Sequence, residues 1–159
     1  MADKDSSQKD TYFVAVKLFL ERNGKLLVMR DKFDAWDLPG GRIKKHEFET
    51  PLVAVIKRKM SEELGDDIQY VLDERPEVLM RHERTEASTG EPARIFAIGY
   101  RAMLKSGEPR LSEAHTEMRW VNIATFKPEQ SFQGGWLKGV QDYLAMRRNE
   151  SSAPSPTST

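Results

Sequence analysis

The apolar residues of this chain fall into short runs near its start and into one longer stretch with helical spacing. Almost all of residues 12–20 are apolar, which is typical of a buried strand. A second short run follows over residues 26–30, and the Asn23-Gly24 pair between the runs favours a tight turn. The pattern therefore predicts an antiparallel hairpin at the start of the folded region.

The stretch from residue 50 to residue 64 predicts an amphipathic helix. Its apolar residues recur every three or four positions and so share one side. These residues are Leu52, Val53, Val55, Ile56, Met60 and Leu64. Thr50 can cap the N-terminus, Pro51 suits the first turn, and Gly65 ends the helix.

The rest of the chain continues with strand-like runs and closes with a second amphipathic helix. The strands are predicted at residues 68–72, 77–82, 94–104 and 118–122, and the helix at residues 136–146. The last helix has Leu137, Val140, Tyr143 and Leu144 on one side. Strands in mixed order with two flanking helices predict the α/β class, as a sandwich with a mixed β-sheet and two main helices.

The length of 159 residues fits a single domain with polar ends. Residues 1–10 are too polar to fold alone, and residues 149–159 have the Ser, Pro and Thr content of a disordered tail. We therefore expect the folded domain to span residues 11–148.

The charge balance and the lack of cysteine narrow the classes of function. Acidic and basic residues number 25 each, so no net charge steers the chain to nucleic acid or membrane. The chain has no cysteine, which excludes disulfides, thiolate zinc sites and cysteine nucleophiles. Carboxylate, carbonyl, water and histidine ligands then suit Mg²⁺ or Mn²⁺. No apolar run approaches the ~20 residues of a membrane span and no signal peptide is evident, so a cytoplasmic protein is expected.

Two features could carry chemistry. Gly40 and Gly41 let the backbone turn sharply and approach a ligand, although a Pro-Gly-Gly triplet alone is usually a plain loop. On the predicted helix, Glu62 and Glu63 are adjacent and point roughly 100° apart, so they can serve different tasks. The alternative is a solvated helix without a functional role, with two ordinary ion pairs, Arg58 with Glu62 and Lys59 with Glu63.

The loop over residues 112–117 is a third candidate feature. Its acids, Glu113 and Glu117, could complete a metal site or supply a general base. By themselves such residues are more often surface charges, and His115 is more often a surface imidazole than a ligand.

These pieces together resemble the Nudix family. The family's signature runs Gly, five residues, Glu, seven residues, Arg-Glu, an apolar residue, any residue, Glu-Glu, any residue, Gly. The chain has Gly41, five residues and Glu47, and then RKMSEELG over residues 58–65. The flanking sequences are similar as well, WDLPGG over residues 36–41 and EMRWV over residues 117–121. The resemblance implies a Nudix-like α/β/α sandwich over essentially the whole folded region.

The chain departs from the signature at two points. Ten residues rather than seven separate Glu47 from Arg58, and Glu49 is an alternative match to the early glutamate. Lys59 stands where the family has a glutamate that holds Mg²⁺ together with the second residue of the Glu-Glu pair. Lys59 changes the local charge by two units, which should weaken metal binding greatly if the side chain points there. It could instead pair with Glu63 or contact a substrate phosphate.

The resemblance and the residue types together indicate the site. Arg58 is expected to brace the loop through Glu47 or Glu49, while Trp36 could stack on a base and Arg30 could meet a phosphate. The catalytic candidates are Arg58, Glu62, Glu63 and Glu117. The metal-binding candidates are Gly40, Glu62, Glu63 and Glu113. The candidates for substrate contacts are Gly40, Gly41, Arg30, Trp36 and Lys59.

The activity implied by the resemblance is hydrolysis of a nucleoside diphosphate linked to another group, such as a nucleotide sugar, a dinucleotide or an NTP. Mg²⁺ or Mn²⁺ would neutralise the pyrophosphate while a carboxylate helps water attack phosphorus. The alternative is a Nudix-fold module that binds nucleotide or RNA without turnover. The expected partner is a small nucleotide-type molecule, with RNA only under the alternative, and a homodimer is possible because Nudix-type domains often pair.

Overall fold

The computed structural model describes residues 6–152, which fold around one mixed sheet. Its strands are β1 (Phe13–Arg22), β2 (Lys25–Asp31), β3 (Trp36–Asp37), β4 (Gly40–Arg42), β5 (Gln69–Thr85), β6 (Pro92–Ser106) and β7 (His115–Asn122). The helices are α1 (Leu52–Leu64) and α2 (Gly134–Ser152), and single 3-10 turns lie at Lys45–Glu47 and Pro128–Gln130. The sheet order is β3-β2-β1-β6-β5, with β4 added to β1 and β7 added to β2.

The sheet is mixed because its central pair is parallel. β1 and β6 run parallel, while every other pair of strands in the described part of the chain is antiparallel. The turn between β1 and β2 is the predicted one, with positive φ angles of 51° at Asn23 and 75° at Gly24. This conformation suits an Asn-Gly hairpin.

The two helices cover opposite faces of the sheet, which confirms the predicted α/β sandwich. On one face Phe19 of β1 packs with Val140 and Tyr143 of α2. On the other face Leu18 and Leu20 of β1 pack with the buried side of α1. Because β1 is buried on both faces, its sequence is apolar almost without alternation.

The strands predicted at residues 68–72 and 77–82 are in fact one strand, β5. The polar segment between them forms an irregularity in the pairing with β6, because the register shifts on both sides of Pro76, but the strand continues beyond it. β5 lies at the end of the sheet, where a proline costs no ladder hydrogen bond on its open side. The prediction of two strands was wrong because the long partner strand β6 holds both halves together.

The helix ends differ in part from the expectation. Thr50 does not cap α1, because Pro51 occupies the N-cap position, without a side-chain cap. The Thr50 N–H belongs to the preceding turn and donates to the Glu47 carbonyl. Gly65 ends α1 as predicted, at a φ of 83°. α2 continues through Ser152, four residues beyond the predicted end of the folded domain at residue 148. Residues 1–5 and 153–159 of the predicted disordered ends lie outside the described residues.

The helices of residues 6–152 include none with the length and apolar character needed to cross a membrane.

Candidate active site

The Pro-Gly-Gly corner and helix α1 meet through a buried hydrogen bond. The backbone N–H of Gly40 donates to Glu63 Oε2 at 2.9 Å. β4 is paired with β1 so that Gly40 lies opposite Lys17, and a Cβ on Gly40 would lie 2.0 Å from the Val16 carbonyl oxygen. Since the φ of Gly40 is also +144°, only glycine brings the backbone close enough to reach Glu63.

Glu62 and Glu63 face different surroundings, as their helical spacing predicts. Glu63 is buried, whereas the Glu62 side chain is 45% exposed. Burial raises the pKa of Glu63, and the Gly40 N–H with the nearby Lys17 and Lys59 charges opposes that rise only in part. Hydrogen bonds from Arg58, and then from Lys59, lower the pKa of Glu62. The two carboxylates therefore differ in basicity as well as in position.

Arg58 braces the loop before α1, and its partner is Glu47 rather than Glu49. The guanidinium grips Glu47 with two hydrogen bonds, Nε to Oε2 at 2.8 Å and Nη2 to Oε1 at 2.6 Å. The Lys44 N–H donates to the same carboxylate at 2.9 Å. The Arg58 hydrogen bonds hold the pKa of Glu47 below its ordinary value. A 3-10 turn at Lys45–Glu47 precedes the longer loop, and the contact between Glu47 and Arg58 is kept across that loop.

Lys59 lies directly beside the two glutamates. Its Nζ is 3.2 Å from Glu62 Oε2 and 3.9 Å from Glu63 Oε1. The end of the side chain lies over Gly41, where an added Cβ would be 2.4 Å from Lys59 Cε and 2.8 Å from Nζ. The space that Gly41 leaves is therefore filled by Lys59, whereas the sequence suggested that this glycine admits a ligand directly.

A second cluster forms where β2 pairs with β7. Arg30 lies opposite Glu117 in the register and donates to its Oε2 at 2.6 Å, while Arg119 donates to Oε1 at 2.7 Å. The guanidinium groups of Arg30 and Arg119 lie 5.5 and 4.8 Å from the ring centroid of Trp36. Three predicted site residues, Arg30, Trp36 and Glu117, thus come together, but with both oxygens of Glu117 engaged by arginine.

The residues present do not fit a divalent ion in the way the sequence predicts. Within residues 6–152 no three carboxylate or histidine side chains are grouped to hold a metal. Glu113 is exposed in the loop before β7. Glu62 and Glu63 already have the Lys59 ammonium beside them, and a cation at that place repels a second cation.

A cavity of about 390 Å³ is lined in part by β3, the strand that precedes the Pro-Gly-Gly corner. Its walls include Trp36 and Asp37 from β3, His82 and Arg84 from β5, and Trp136 from α2. The imidazole of His82 stacks on Trp136 with centroids 4.4 Å apart. A cavity of this size with aromatic walls and a few polar groups is typical of a small-molecule site.

Lys17 connects the cavity with the Gly40 corner. Its buried ammonium bonds to both carboxylate oxygens of Asp37, at 2.9 and 2.8 Å, and lies 4.8 Å from the Trp136 ring centroid. Its strand partner is Gly40. Sequence reasoning did not select Lys17, Asp37, His82 or Trp136 for the site. One signal was present, since Lys17 is the single charged residue within the apolar run over residues 12–20.

Comparison with known proteins agrees with the signature. A family profile described as a NUDIX domain matches residues 11–139. No curated protein sequence matches the chain significantly.

Solved structures with a similar fold include several hydrolases. A MutT NUDIX hydrolase from Burkholderia pseudomallei is 24% identical, with a TM-score of 0.60 over 84% of this chain and 98% of that chain. An ADP-ribose pyrophosphatase from Streptococcus suis is 12% identical, with a TM-score of 0.57 over 87% and 93%. An Ap4A hydrolase from C. elegans is 15% identical, with a TM-score of 0.60 over 86% and 98%. At these identities the likeness shows a shared fold.

Proposed function

Because this chain belongs to the Nudix family of hydrolases, we propose that it hydrolyses the pyrophosphate of a nucleoside diphosphate linked to another group. The nucleoside would lie in the cavity walled by Trp36, His82 and Trp136, and the diphosphate would lie along the Pro-Gly-Gly corner. Two of the similar structures are named for ADP-ribose and for Ap4A, which both contain such a linked diphosphate.

One observation supports this proposal above all: the hydrogen bond from the Gly40 N–H to the buried Glu63 carboxylate. This hydrogen bond joins the Pro-Gly-Gly corner to helix α1, which also carries Arg58, Lys59 and Glu62. Lys17 links the same corner to the cavity wall, since it pairs with Gly40 in the sheet and binds Asp37. A ligand in the cavity would reach Glu63 only by extending past Lys17 and the corner, because Glu63 does not line the cavity itself.

The chemistry that we assign to these residues is attack by water on phosphorus. A new bond forms between the water oxygen and phosphorus, the bridging P–O bond breaks, and the water proton passes to a carboxylate. Glu63 is our candidate for that acceptor, because Gly40 orients one of its oxygens and leaves the other facing Lys59. Arg58 acts as a positioning residue, since it holds the preceding loop through Glu47 and orients Glu62.

Members of this family generally use divalent ions, which neutralise the diphosphate when bound. The side chains around Glu62 and Glu63 do not fit such an ion, so we assign no step to it. Glu113 and Glu117 remain predictions as metal or base residues. Glu117 would first have to release its bonds to Arg30 and Arg119.

The test is product release from a panel of linked nucleoside diphosphates. The panel contains ADP-ribose, Ap4A, nucleotide sugars and NTPs, each assayed with EDTA, with Mg²⁺ and with Mn²⁺. We expect a nucleoside monophosphate or diphosphate from at least one substrate, and its loss in the Glu63→Gln variant. Absence of product from the whole panel would count against hydrolysis.

Lys59 favours a second candidate function, nucleotide binding without turnover. A lysine in place of the family's glutamate removes one carboxylate from the expected catalytic set. Under this alternative the cavity and the Gly40 corner still bind nucleotide, and calorimetry detects binding of substrates that are not cleaved. Restored turnover in the Lys59→Glu variant would show that this residue alone separates the two functions.

A further inference from the structure

Lys59 places an ammonium group beside Glu62 and Glu63. We propose that Lys59 binds the diphosphate of the ligand directly, so that this site takes diphosphate-type anions without a divalent ion. The inference rests on the proposed function for the identity of the ligand, a nucleoside diphosphate or pyrophosphate group. It concerns binding, and so it can be tested apart from turnover.

Three contacts set the Lys59 side chain in its place. Helical spacing puts Glu62 three residues and Glu63 four residues further along, and the ammonium lies within 3.2 and 3.9 Å of their carboxylates. Gly41 provides the room, because a side chain there would overlap Lys59 Cε. The Lys59 side chain is partly exposed, with 19% of its surface open to solvent.

Charge counting shows what Lys59 changes. The charged groups around the corner are the cations Lys17, Arg42, Arg58 and Lys59 and the carboxylates Asp37, Glu47, Glu62, Glu63 and Glu86. Four cations thus face five carboxylates, whereas a glutamate at position 59 would leave three cations facing six. An excess of three carboxylates would repel a diphosphate unless a divalent ion were bound. With Lys59 the excess is a single carboxylate, so the repulsion of a diphosphate is much weaker.

The ammonium can exchange its partner at low cost. Glu62 is 45% exposed and also bonds to Arg58 at 2.9 Å, so it keeps one partner and solvent when Lys59 turns to a phosphate. Exposed ion pairs of this kind contribute little to stability. Contacts between an ammonium and a phosphate are charge-assisted and short. The exchange therefore replaces one charge-assisted contact of Lys59 by another and costs little.

The experiment is titration calorimetry of the full chain with ADP and with inorganic pyrophosphate, in EDTA and in Mg²⁺. We expect binding in EDTA at least as strong as in Mg²⁺. The Lys59→Ala variant should lose about tenfold in affinity, or about 1.4 kcal/mol. Lys57→Ala is the matched control, because it removes the same charge from an exposed position on the same helix and should leave affinity unchanged.

The Lys59→Glu variant tests the inference by placing the glutamate of the family signature at position 59. We expect it to lose binding in EDTA and to bind only when Mg²⁺ is present. Wild-type binding that requires Mg²⁺, equal binding by wild type and Lys59→Ala in EDTA, or no binding of either probe would each overturn the inference.

Binding and turnover can fail separately. Binding in EDTA without product from any substrate would support the inference and contradict the proposed hydrolysis. Product formed only with Mg²⁺, together with wild-type binding that requires Mg²⁺, would contradict the inference and support the proposed hydrolysis. Thermal unfolding of every variant shows whether a loss of binding reflects loss of folded protein.

Discussion

The N–H of Gly40 and the carboxylate of Glu63 are joined by a buried hydrogen bond of 2.9 Å across 23 positions of the chain. This contact fixes the distance between the Pro-Gly-Gly corner and helix α1. It also determines where Lys59, one turn before Glu63 on the same helix, meets Gly41. The two glycines therefore have different structural roles, and the first prediction follows from that difference.

Gly40→Ala and Gly41→Ala should lower the free energy of unfolding by very different amounts. A Cβ on Gly40 would lie 2.0 Å from a backbone oxygen of β1, at a φ of +144°, so we expect a loss of about 3 kcal/mol or more in the free energy of unfolding. A Cβ on Gly41 meets only the flexible end of Lys59, so the loss should stay below about 1 kcal/mol. Denaturant unfolding measures both. Equal losses would contradict the assignment.

Gly41→Ala should also weaken ligand binding while the protein stays folded. The new methyl group displaces the Lys59 ammonium from its place over Gly41, so affinity for inorganic pyrophosphate should fall towards that of Lys59→Ala. Calorimetry in EDTA checks this. If Gly41→Ala bound pyrophosphate as tightly as wild type, the place of the ammonium over Gly41 would not matter for binding.

Glu63→Gln should lower kcat by about a hundredfold or more, because an amide cannot accept the water proton. The amide oxygen can still accept the Gly40 hydrogen bond, so the unfolding temperature should change little. Glu62→Gln is the matched variant, since it alters the adjacent but more exposed carboxylate. A larger fall in kcat for Glu62→Gln than for Glu63→Gln would transfer the base role to Glu62.

Arg58→Ala should loosen the loop that precedes α1. It removes both hydrogen bonds to Glu47, whose side chain is only 5% exposed, so we expect a lower unfolding temperature and faster proteolysis between β4 and α1. Glu49→Gln is the control, because Glu49 is not the partner of Arg58. A double-mutant cycle with Glu47→Gln measures the coupling. Additive effects would show that the contact does not hold the loop.

The contact between β1 and α2 should respond to acid. Burial acts to raise the pKa of Glu21, but hydrogen bonds from Arg147 and Tyr143 outweigh it and leave the pKa below its ordinary value near 4.5. The stability gained from this pKa shift is therefore present above about pH 4.5 and is lost as the pH falls through the lower folded value.

The Glu21→Gln variant isolates this effect. Its unfolding temperature should lie below that of wild type at neutral pH, because Arg147 and Tyr143 lose a charged partner. The difference should shrink as the pH falls below about 4.5. A difference that stays constant down to strongly acid pH would show that the charge of Glu21 is not responsible.

Much of the fold could be predicted from local sequence. The hairpin at Asn23-Gly24, helix α1 ending at Gly65, and the separate directions of Glu62 and Glu63 follow from turn preference and helical periodicity. Family membership follows from the spacing of the glycines, arginine and glutamates. These features depend on residues close together in the chain, so the local pattern was sufficient to predict them.

The remaining features of the fold and the site depend on contacts between segments that are distant in the chain. β5 is one strand because β6 pairs with it on both sides of its irregular polar middle segment, although that segment predicts a break. The bond between Lys17 and Asp37 depends on how β1 lies beside the Pro-Gly-Gly corner. The place of the Lys59 ammonium depends on how closely Gly41 approaches α1. The sequence by itself determined that Arg58, Lys59, Glu62 and Glu63 belong to the site, because they share one helix and one signature. Strand register and backbone approach, which only the folded chain sets, added Lys17 and Asp37 and decided which of these groups meet.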